Sequence, residues 1–368
     1  MSRSASERTD AAGRSGAPTA AAPGRMRAAV YYTNQDVRLE DRAVPAIGPG
    51  ELLMRIERSG ICGSDVMEWY RRHRAPLVLG HEVAGSVAAV GEGVGAYRIG
   101  DRITAAHHVP CNACRYCRRG HHTMCHVLHT TNFDPGGFVE YARLTPIHVD
   151  RGVFPLSDSV SFDQAVFVEP LACVVRAQRI APVRPDDTVF VAGSGMIGLL
   201  HIKLARAAGA RRVLASDISD YRLAAARRFG ADVAFRPGGD LAAQVREANE
   251  GRLADLVIVC TGAGPAIAGA LRSAEPGSTV MLFAPSGPDY TFPPVPFNET
   301  FFRTDLTATT SYGAAPADYA EALDLITRRV VGVDDMVTHR FGLSGAAEGF
   351  RLAATAGDSI KVILDHRQ

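Results

Sequence analysis

The feature that most limits the possible folds is a glycine-rich turn between an apolar stretch and a helix-forming stretch. Residues 188–192 are apolar and strand-like, the sequence Gly193-Ser-Gly195-Met-Ile-Gly198 follows without a gap, and residues 199–208 favour a helix. The G-x-G-x-x-G spacing is a weak signal alone, but a strand before it and a helix after it are the context of a dinucleotide-binding turn. The glycines let the backbone approach a pyrophosphate, whose charge favours the helix N-terminus. The candidate cofactor contacts are Gly193, Gly195, Met196, Ile197 and Gly198.

An acidic residue stands where the next apolar strand ends. Asp217 closes the stretch 212–217 and lies 19 residues after Gly198. A carboxylate at this position can bind both ribose hydroxyls and repels a 2′-phosphate, which favours NAD over NADP. Arg222 is close enough in sequence to leave NADP as the alternative.

Strand-like and helix-like stretches alternate through the following hundred residues. Further apolar strands are expected at 231–235, 254–262, 279–284 and 306–310. This alternation predicts an α/β fold with a doubly wound parallel sheet of the Rossmann type. Thr261 and Gly262 end one strand at the edge of the sheet where cofactors bind, so they are further candidate contacts.

The first part of the chain has a different pattern. From Met26 to about residue 155 the sequence has short alternating strands, a hairpin and many glycine-punctuated turns. This pattern predicts a β-rich domain built like a small barrel. After about Ser311 an amphipathic helix beginning at Pro316 and a last strand at 361–365 are expected to return to this domain.

Length and composition fit this organisation. A chain of 368 residues favours two domains, and 46% hydrophobic with 21% charged residues is ordinary for a globular protein. A net charge of +1 gives no reason to expect nucleic acid or an anionic membrane as partner. No apolar run approaches the roughly 20 residues that cross a bilayer. Residues 1–25 are polar and lack the apolar core of a secretory signal, so we expect a disordered tail. Without that signal, the seven cysteines predict a reducing, cytoplasmic location.

Four of the seven cysteines form a compact cluster with C-x2-C-x2-C-x7-C spacing. Without an export signal, closely spaced thiolates indicate a metal rather than disulfides. Four thiolates make a closed tetrahedral zinc site whose role is structural. A zinc knuckle that binds nucleic acid is the disfavoured alternative, because the chain has no basic excess. The predicted ligands are Cys111, Cys114, Cys117 and Cys125.

A second cluster mixes ligand types. Cys62, His81 and Glu82 offer a thiolate, an imidazole and a carboxylate within about twenty residues, which suits a zinc ion left partly open to substrate. The alternative is a buried free thiol beside a hydrogen-bonded histidine. Ser64 lies two residues after Cys62, where its hydroxyl could take a substrate proton, although an ordinary turn serine also fits.

Glu169 is the last candidate ligand. It stands before Pro170 within the apolar segment 167–172, where burying a lone charge is costly. A metal or its bound water would offset that cost. A helix start at the surface with proline in its first turn is the alternative.

Together these residues resemble the zinc-dependent medium-chain dehydrogenase/reductase family of the alcohol dehydrogenase superfamily, and most closely its sorbitol or polyol branch. The similarity extends over residues 26–368, which would comprise a GroES-like catalytic domain at 26–175, a Rossmann NAD-binding domain at 176–312 and a return to the catalytic domain at 313–368. The motifs that carry it are 60–65, 80–82, the cysteine cluster, 169–171, the glycine turn and 260–262.

The resemblance implies roles for individual residues. Cys62 and His81 would be catalytic zinc ligands, Glu82 a ligand or near-ligand, and Glu169 the third protein ligand or a contact to the zinc water. The alcohol dehydrogenase branch has cysteine where Glu169 stands, so the carboxylate favours polyol, sugar or threonine dehydrogenases. Ser64 resembles the family's proton-relay hydroxyl, whereas the histidine that often continues the relay is replaced by Met67.

The function implied is NAD-linked oxidation of a secondary alcohol of a polyol, sugar or cyclitol to a ketone, with two zinc ions per chain. An L-threonine 3-dehydrogenase-like enzyme, a simple alcohol dehydrogenase and a zinc-free quinone or enoyl reductase are alternatives within the superfamily. A non-catalytic NAD-binding redox sensor is the alternative from another class. The resemblance also implies a homodimer or homotetramer, with no nucleic-acid or membrane partner.

Overall fold

The computed structural model describes residues 22–355 and 357–368. The predicted tail falls almost entirely on residues 1–21, which lie outside the described part of the chain, and the first strand begins at Arg25. In chain order the strands are β1 Arg25–Thr33, β2 Asp36–Ala43, β3 Leu52–Gly60, β4 Leu77–Val78, β5 Glu82–Val90, β6 Arg102–Ala105, β7 Tyr141–Leu144, β8 Val153–Pro155, β9 Thr188–Ala192, β10 Arg212–Ser216, β11 Val233–Phe235, β12 Ala254–Val259, β13 Ala274–Leu282, β14 Thr307–Thr310, β15 Val337–Gly342 and β16 Lys361–Asp365.

The helices include several single turns near the candidate metal centres. They are α1 Glu68–Arg71, α2 Arg115–Arg118, α3 His126–Thr130, α4 Pro146–Arg151, α5 Phe162–Ala165, α6 Val168–Ile180, α7 Met196–Ala207, α8 Asp220–Arg228, α9 Leu241–Ala248, α10 Gly264–Arg272, α11 Pro316–Thr327 and α12 Ala346–Thr355. Short 3₁₀ turns lie at Arg72–Arg74, His122–Met124, Asp334–Met336 and Leu343–Gly345, and a π-helical turn at Asn298–Phe302.

The last two strands of the chain join strands of its first part in one sheet. Its seven strands include the central pair β3 and β5, with β16 against the other edge of β3 and β15 beyond it. The β16 strand pairs antiparallel with β3, placing Ile363 opposite Gly60. Nearly every residue of β3 is buried, as expected for a strand with packing on both faces. A separate sheet has three strands in the order β2-β1-β4.

The middle of the chain forms a six-stranded sheet in the order β11-β10-β9-β12-β13-β14. All of its pairings are parallel, and the central strand β9 is buried at every position. From β9 to β13 one helix, α7 to α10 in order, connects each strand to the next, because a parallel crossover needs a connection of this length. These helices pack on both faces of the sheet. The predicted fold class, a β-rich unit with a doubly wound parallel sheet, is confirmed.

Helix α6 connects the two units. The domain boundary predicted between residues 175 and 176 falls inside this helix, whose buried side chains extend from Val168 to Gln178. Its buried side chains share one core with residues of α7, α11 and the parallel sheet. The same helix carries Glu169, so this core fixes the position of a candidate ligand.

Within the described residues, no helix combines the length and apolar character needed to cross a bilayer.

Candidate active site and metal centres

Strand pairing assembles the first candidate metal centre. Cys62 follows the end of β3, and His81 directly precedes β5. The antiparallel register places Gly60 opposite Glu82, so the ends of the two strands meet. One ligand atom each from Cys62, His81 and Glu82 lies within 4.8 Å of the others. The structure therefore brings together three of the four residues predicted for this site.

A buried carboxylate supports two of these residues. Asp65 is fully buried, and its Oδ2 accepts a hydrogen bond of 3.0 Å from the Cys62 amide. Its Oδ1 lies 3.4 Å from Nδ1 of His81, which leaves Nε2 of that ring to face the site. Burial raises the Asp65 pKa, but His81 and Arg71 outweigh this effect and the pKa is lowered overall. Sequence reasoning assigned Asp65 no role, although its place three residues after a ligand cysteine is a usable signal.

Glu82 has one oxygen paired and one free. Its Oε2 accepts a hydrogen bond from Nζ of Lys361 on β16, and both side chains are fully buried. Its Oε1 is buried without a hydrogen-bond partner. An orphaned carboxylate oxygen is costly in an apolar interior. Because the Glu82 carboxylate belongs to a cluster with a thiol and an imidazole, the donor set fits a zinc ion.

Glu169 lies close to the cluster but outside the set of mutually adjacent ligand atoms. Its Oε1 accepts a hydrogen bond of 3.5 Å from the thiol of Cys173, one turn later on α6. Burial raises the pKa of Glu169 to about 7, Glu82 adds to the effect, and His81 and Lys361 oppose it. The side chain is buried, as a contact to metal or to its water would require, and is not a solvated helix start.

Ser64 is held by a residue that sequence reasoning missed. Its amide lies 3.5 Å from Sγ of Cys62, so the turn wraps around that thiol. Arg71, the last residue of α1, donates to the Ser64 carbonyl (2.9 Å) and to Oγ (3.2 Å). No local pattern distinguishes Arg71 from the exposed Arg72 and Arg74 that follow it.

Two further histidines lie against the site and were likewise not predicted. The rings of His81 and His107 are 4.8 Å apart, and His107 and His108 are 3.9 Å apart. Burial lowers the His107 pKa well below its usual value and that of His108 to about 4. Nδ1 of His107 is buried without a partner. Neutral imidazoles can hydrogen-bond a hydroxylated ligand, so this wall of the site is polar but uncharged.

The four-cysteine cluster forms the second candidate metal centre. Its four sulfur atoms lie within 4.8 Å of one another. Backbone amides of Ala113 and Cys114 point at Sγ of Cys111 and lower the pKa of that thiol to about 6. Burial raises the pKa of Cys117 to about 12. Four converging sulfurs fit a tetrahedral zinc ion and leave no position for substrate.

The glycine turn has the geometry that phosphate binding needs. Gly193 has φ of 97°, which side chains rarely adopt, and a Cβ at Gly198 would lie 2.0 Å from the Gly193 carbonyl oxygen. The chain can therefore pass directly from β9 into α7, which begins at Met196 and includes Ile197. The N-terminus of α7 is thus open to a pyrophosphate.

The residues predicted to select the cofactor lie beside this turn. Asp217 is buried, and its carboxylate accepts hydrogen bonds from the amides of Ser194 (2.7 Å) and Ser219 (2.9 Å). The Arg222 guanidinium lies over the turn, 3.9 Å from where a Cβ of Gly195 would be. Thr261 and Gly262 follow β12, which pairs with β9, so they lie at the same sheet edge.

This combination of a β-rich unit with an open Cys/His/carboxylate centre and a dinucleotide-type sheet defines a zinc-binding dehydrogenase. Residues 48–156 match the alcohol dehydrogenase GroES-like domain, and residues 197–328 match the zinc-binding dehydrogenase domain. The chain is 31% identical to sorbitol dehydrogenase of Gallus gallus over 355 residues, which cover 94% of this chain and 97% of the relative.

Solved structures of dehydrogenases are also similar to this chain. A zinc-binding dehydrogenase of Sinorhizobium meliloti 1021, bound to NADP, aligns with a TM-score of 0.83 and 27% identity over 93% of this chain and 100% of its own. The 2R,3R-butanediol dehydrogenase of Bacillus subtilis aligns with a TM-score of 0.80 and 25% identity over 92% of this chain and 99% of its own.

The chain belongs to the zinc-dependent medium-chain dehydrogenase/reductase family of the alcohol dehydrogenase superfamily. The predicted family and the predicted class of enzyme, an oxidoreductase, are confirmed. The cofactor of this family is NAD or NADP.

Proposed function

We propose that this enzyme oxidises a secondary alcohol of a polyol, sugar or cyclitol to a ketone with NAD. The observation that carries the proposal is the pair of carboxylates at the open centre, Glu82 with an orphaned oxygen and Glu169 where a third cysteine would otherwise stand. The relatives named for sorbitol and for butanediol as substrates support a hydroxylated compound with neighbouring alcohol groups.

Each residue at the centre has a proposed role in the oxidation. Zinc at this centre would act as a Lewis acid on the substrate hydroxyl, and NAD would accept the hydride from the carbon that carries this hydroxyl. Cys62, His81 and the two carboxylates would hold the metal, with Asp65 orienting His81. Ser64 would take up the hydroxyl proton. The neutral ring of His107 would hydrogen-bond a second hydroxyl of the substrate.

We propose NAD rather than NADP as the cofactor. Asp217 is held by two backbone amides at the edge of the glycine turn, where its charge would disfavour a 2′-phosphate. Arg222 lies over Gly195 and could instead favour that phosphate. The experiment is a comparison of kcat/KM with the two cofactors.

The deciding experiment combines metal analysis with a screen of substrates. Metal content is measured by mass spectrometry, and NADH absorbance is followed with polyols, cyclitols, sugars, simple alcohols and threonine. The proposal predicts two zinc ions per chain and turnover confined to polyhydroxylated substrates. Turnover with threonine or a simple alcohol alone would contradict the substrate class. One retained zinc ion and no turnover with any compound would favour a redox sensor.

The variant Ser64→Ala, assayed in the same screen, tests the role of the Ser64 hydroxyl in proton transfer. It should lower turnover about 100-fold or more, as removal of a proton-transfer group does, while both zinc ions remain bound. Unchanged turnover would remove Ser64 from the mechanism.

We also propose that the enzyme is a homodimer or homotetramer in the cytoplasm. The outermost strand of the parallel sheet, β14, is largely exposed, and Phe297 and Phe302 nearby are 65% and 72% exposed. An exposed strand edge with exposed aromatic side chains suits pairing with a second copy. Light scattering would give the oligomeric state, and a monomeric mass would contradict the proposed homodimer or homotetramer.

The proposed location rests on the cysteines. The seven free cysteines of the chain favour a reducing compartment.

A further inference from the structure

Arg71 is placed to control the hydroxyl of Ser64. The short helix α1 turns the chain back, so that a side chain seven residues later reaches Ser64. The Arg71 side chain is 15% exposed. Its guanidinium makes two hydrogen bonds to one residue, through Nε to the Ser64 carbonyl and through one terminal nitrogen to Oγ. This fork fixes both the backbone and the side chain of the serine.

Two more contacts hold the guanidinium itself. A terminal nitrogen lies 3.8 Å from Oδ1 of Asp65, the carboxylate that supports Cys62 and His81. The Arg71 Cζ lies 4.7 Å from the centre of the Tyr70 ring, within the range of a cation–π contact. Arg71 is therefore a fixed charge and not a mobile surface side chain.

The hydroxyl of serine has one hydrogen to donate and two lone pairs that accept. Arg71 occupies one lone pair, which leaves the other lone pair for a substrate hydroxyl and the serine hydrogen for an outgoing bond. Without Arg71 the side chain could adopt any of three staggered rotamers. With Arg71 only the orientation that meets the guanidinium is favoured.

We propose that Arg71 is the positioning residue of the proton relay, holding the Ser64 hydroxyl in the orientation that accepts the substrate proton. The proposal rests on the function proposed above. In the step, the substrate O–H bond breaks and a new O–H bond forms at Ser64 Oγ. The original O–H bond of the serine breaks in the same concerted step, and its hydrogen passes to solvent water in the cleft, so the serine never carries two hydrogens.

Neither neighbour can carry the proton in place of water. The guanidinium is always protonated and has no acceptor atom, so it orients the serine without receiving its hydrogen. Met67 stands in place of the family's relay histidine, and a thioether is only a weak acceptor. The relay of this enzyme is therefore organised by a fixed charge.

A double-mutant cycle tests the proposal in the full-length zinc enzyme. The variants are Arg71→Met, Ser64→Ala and the two combined, with Arg71→Lys as the conservative replacement and the exposed Arg72→Met as the control. For each variant kcat and KM are measured with the best substrate of the screen. Zinc content and melting temperature are measured in parallel.

If Arg71 acts through Ser64, Arg71→Met lowers kcat about 10- to 100-fold, the range of a hydrogen bond to a charged group, and leaves KM nearly unchanged. In the Ser64→Ala background the same change has almost no further effect, because the group it positions is absent. Arg71→Lys restores part of kcat, and it also serves if Arg71→Met does not fold. Arg72→Met behaves as the wild type.

Other outcomes overturn the proposal in distinguishable ways. Additive losses in the double variant, or an effect mainly on KM, would mean that Arg71 contacts the substrate directly. Loss of zinc and a lower melting temperature in both Arg71 variants would mean a purely structural role. An active wild type with fully active Arg71 variants would refute this proposal alone, whereas a wild type inactive with every compound would refute the proposed function and the relay with it.

Discussion

Lys361 and Glu82 form a fully buried ion pair that joins the last strand of the chain to the strand at the candidate catalytic centre. Nζ of Lys361 also donates to the Ile61 carbonyl at 3.4 Å, next to Cys62. The lysine is thus the counter-charge for the one carboxylate that lies among the converging ligand atoms. This contact links the C-terminal strand to the geometry of the metal centre.

Lys361→Met should therefore destabilise the fold strongly. The change leaves the Glu82 carboxylate buried without its partner, at a cost of about 3–5 kcal/mol. Urea unfolding of the zinc-loaded protein measures the loss. Lys203→Met is the control, because the partner of Lys203, Asp335, is 54% exposed and such pairs contribute less than about 1 kcal/mol. Equal stability of the two variants would contradict the argument.

The four-cysteine cluster should contribute to stability and not to chemistry. Cys114→Ser removes one of four converging sulfurs, so we expect one zinc ion to be lost and the melting temperature to fall. The kcat of the protein that remains folded should stay close to that of the wild type. Arg118→Gln, on the same exposed turn, should keep both zinc ions. Lost activity with an unaltered melting temperature would refute a structural role.

Asp217→Asn should shift the cofactor preference toward NADP. The amide side chain keeps one of the two oxygens that accept from the Ser194 and Ser219 amides, and it removes the charge that would repel a 2′-phosphate. We expect the ratio of kcat/KM for NAD to that for NADP to fall about tenfold, equivalent to 1.4 kcal/mol. Arg222→Gln should change the ratio in the opposite direction. An unchanged ratio in the Asp217 variant would show that other residues select the cofactor.

Residues close together in sequence were predictable, whereas partners distant in sequence were not. The cysteine cluster and the glycine turn each carry their geometry in a short spacing, so both were found from the sequence. The partner of Glu82 is 279 residues away, and no local pattern indicates Lys361. Arg71 and His107 were missed because their roles depend on how turns fold back on the site. The boundary at residues 175 and 176 stays a prediction, because the helix in which it falls, α6, shares its core with α7, α11 and the parallel sheet.

Buried neutral histidines should make the fold sensitive to acid. His201 on α7 is fully buried between Gln178 and Phe283, and burial lowers its pKa from 6.5 to about 3.

Because the unfolded chain binds a proton below pH 6.5 and the folded chain does not, this histidine makes stability fall as the pH decreases from about 6.5 toward 3. Between pH 7 and 5.5 the loss amounts to about 1.3 kcal/mol for one such group. In urea unfolding, the free energy of unfolding of His201→Gln should therefore fall by about 1.3 kcal/mol less than that of the wild type between pH 7 and 5.5. The control is His73→Gln at an exposed position, which should keep the wild-type pH dependence. Identical pH dependence in the wild type and His201→Gln would mean that His201 can be protonated in the folded state.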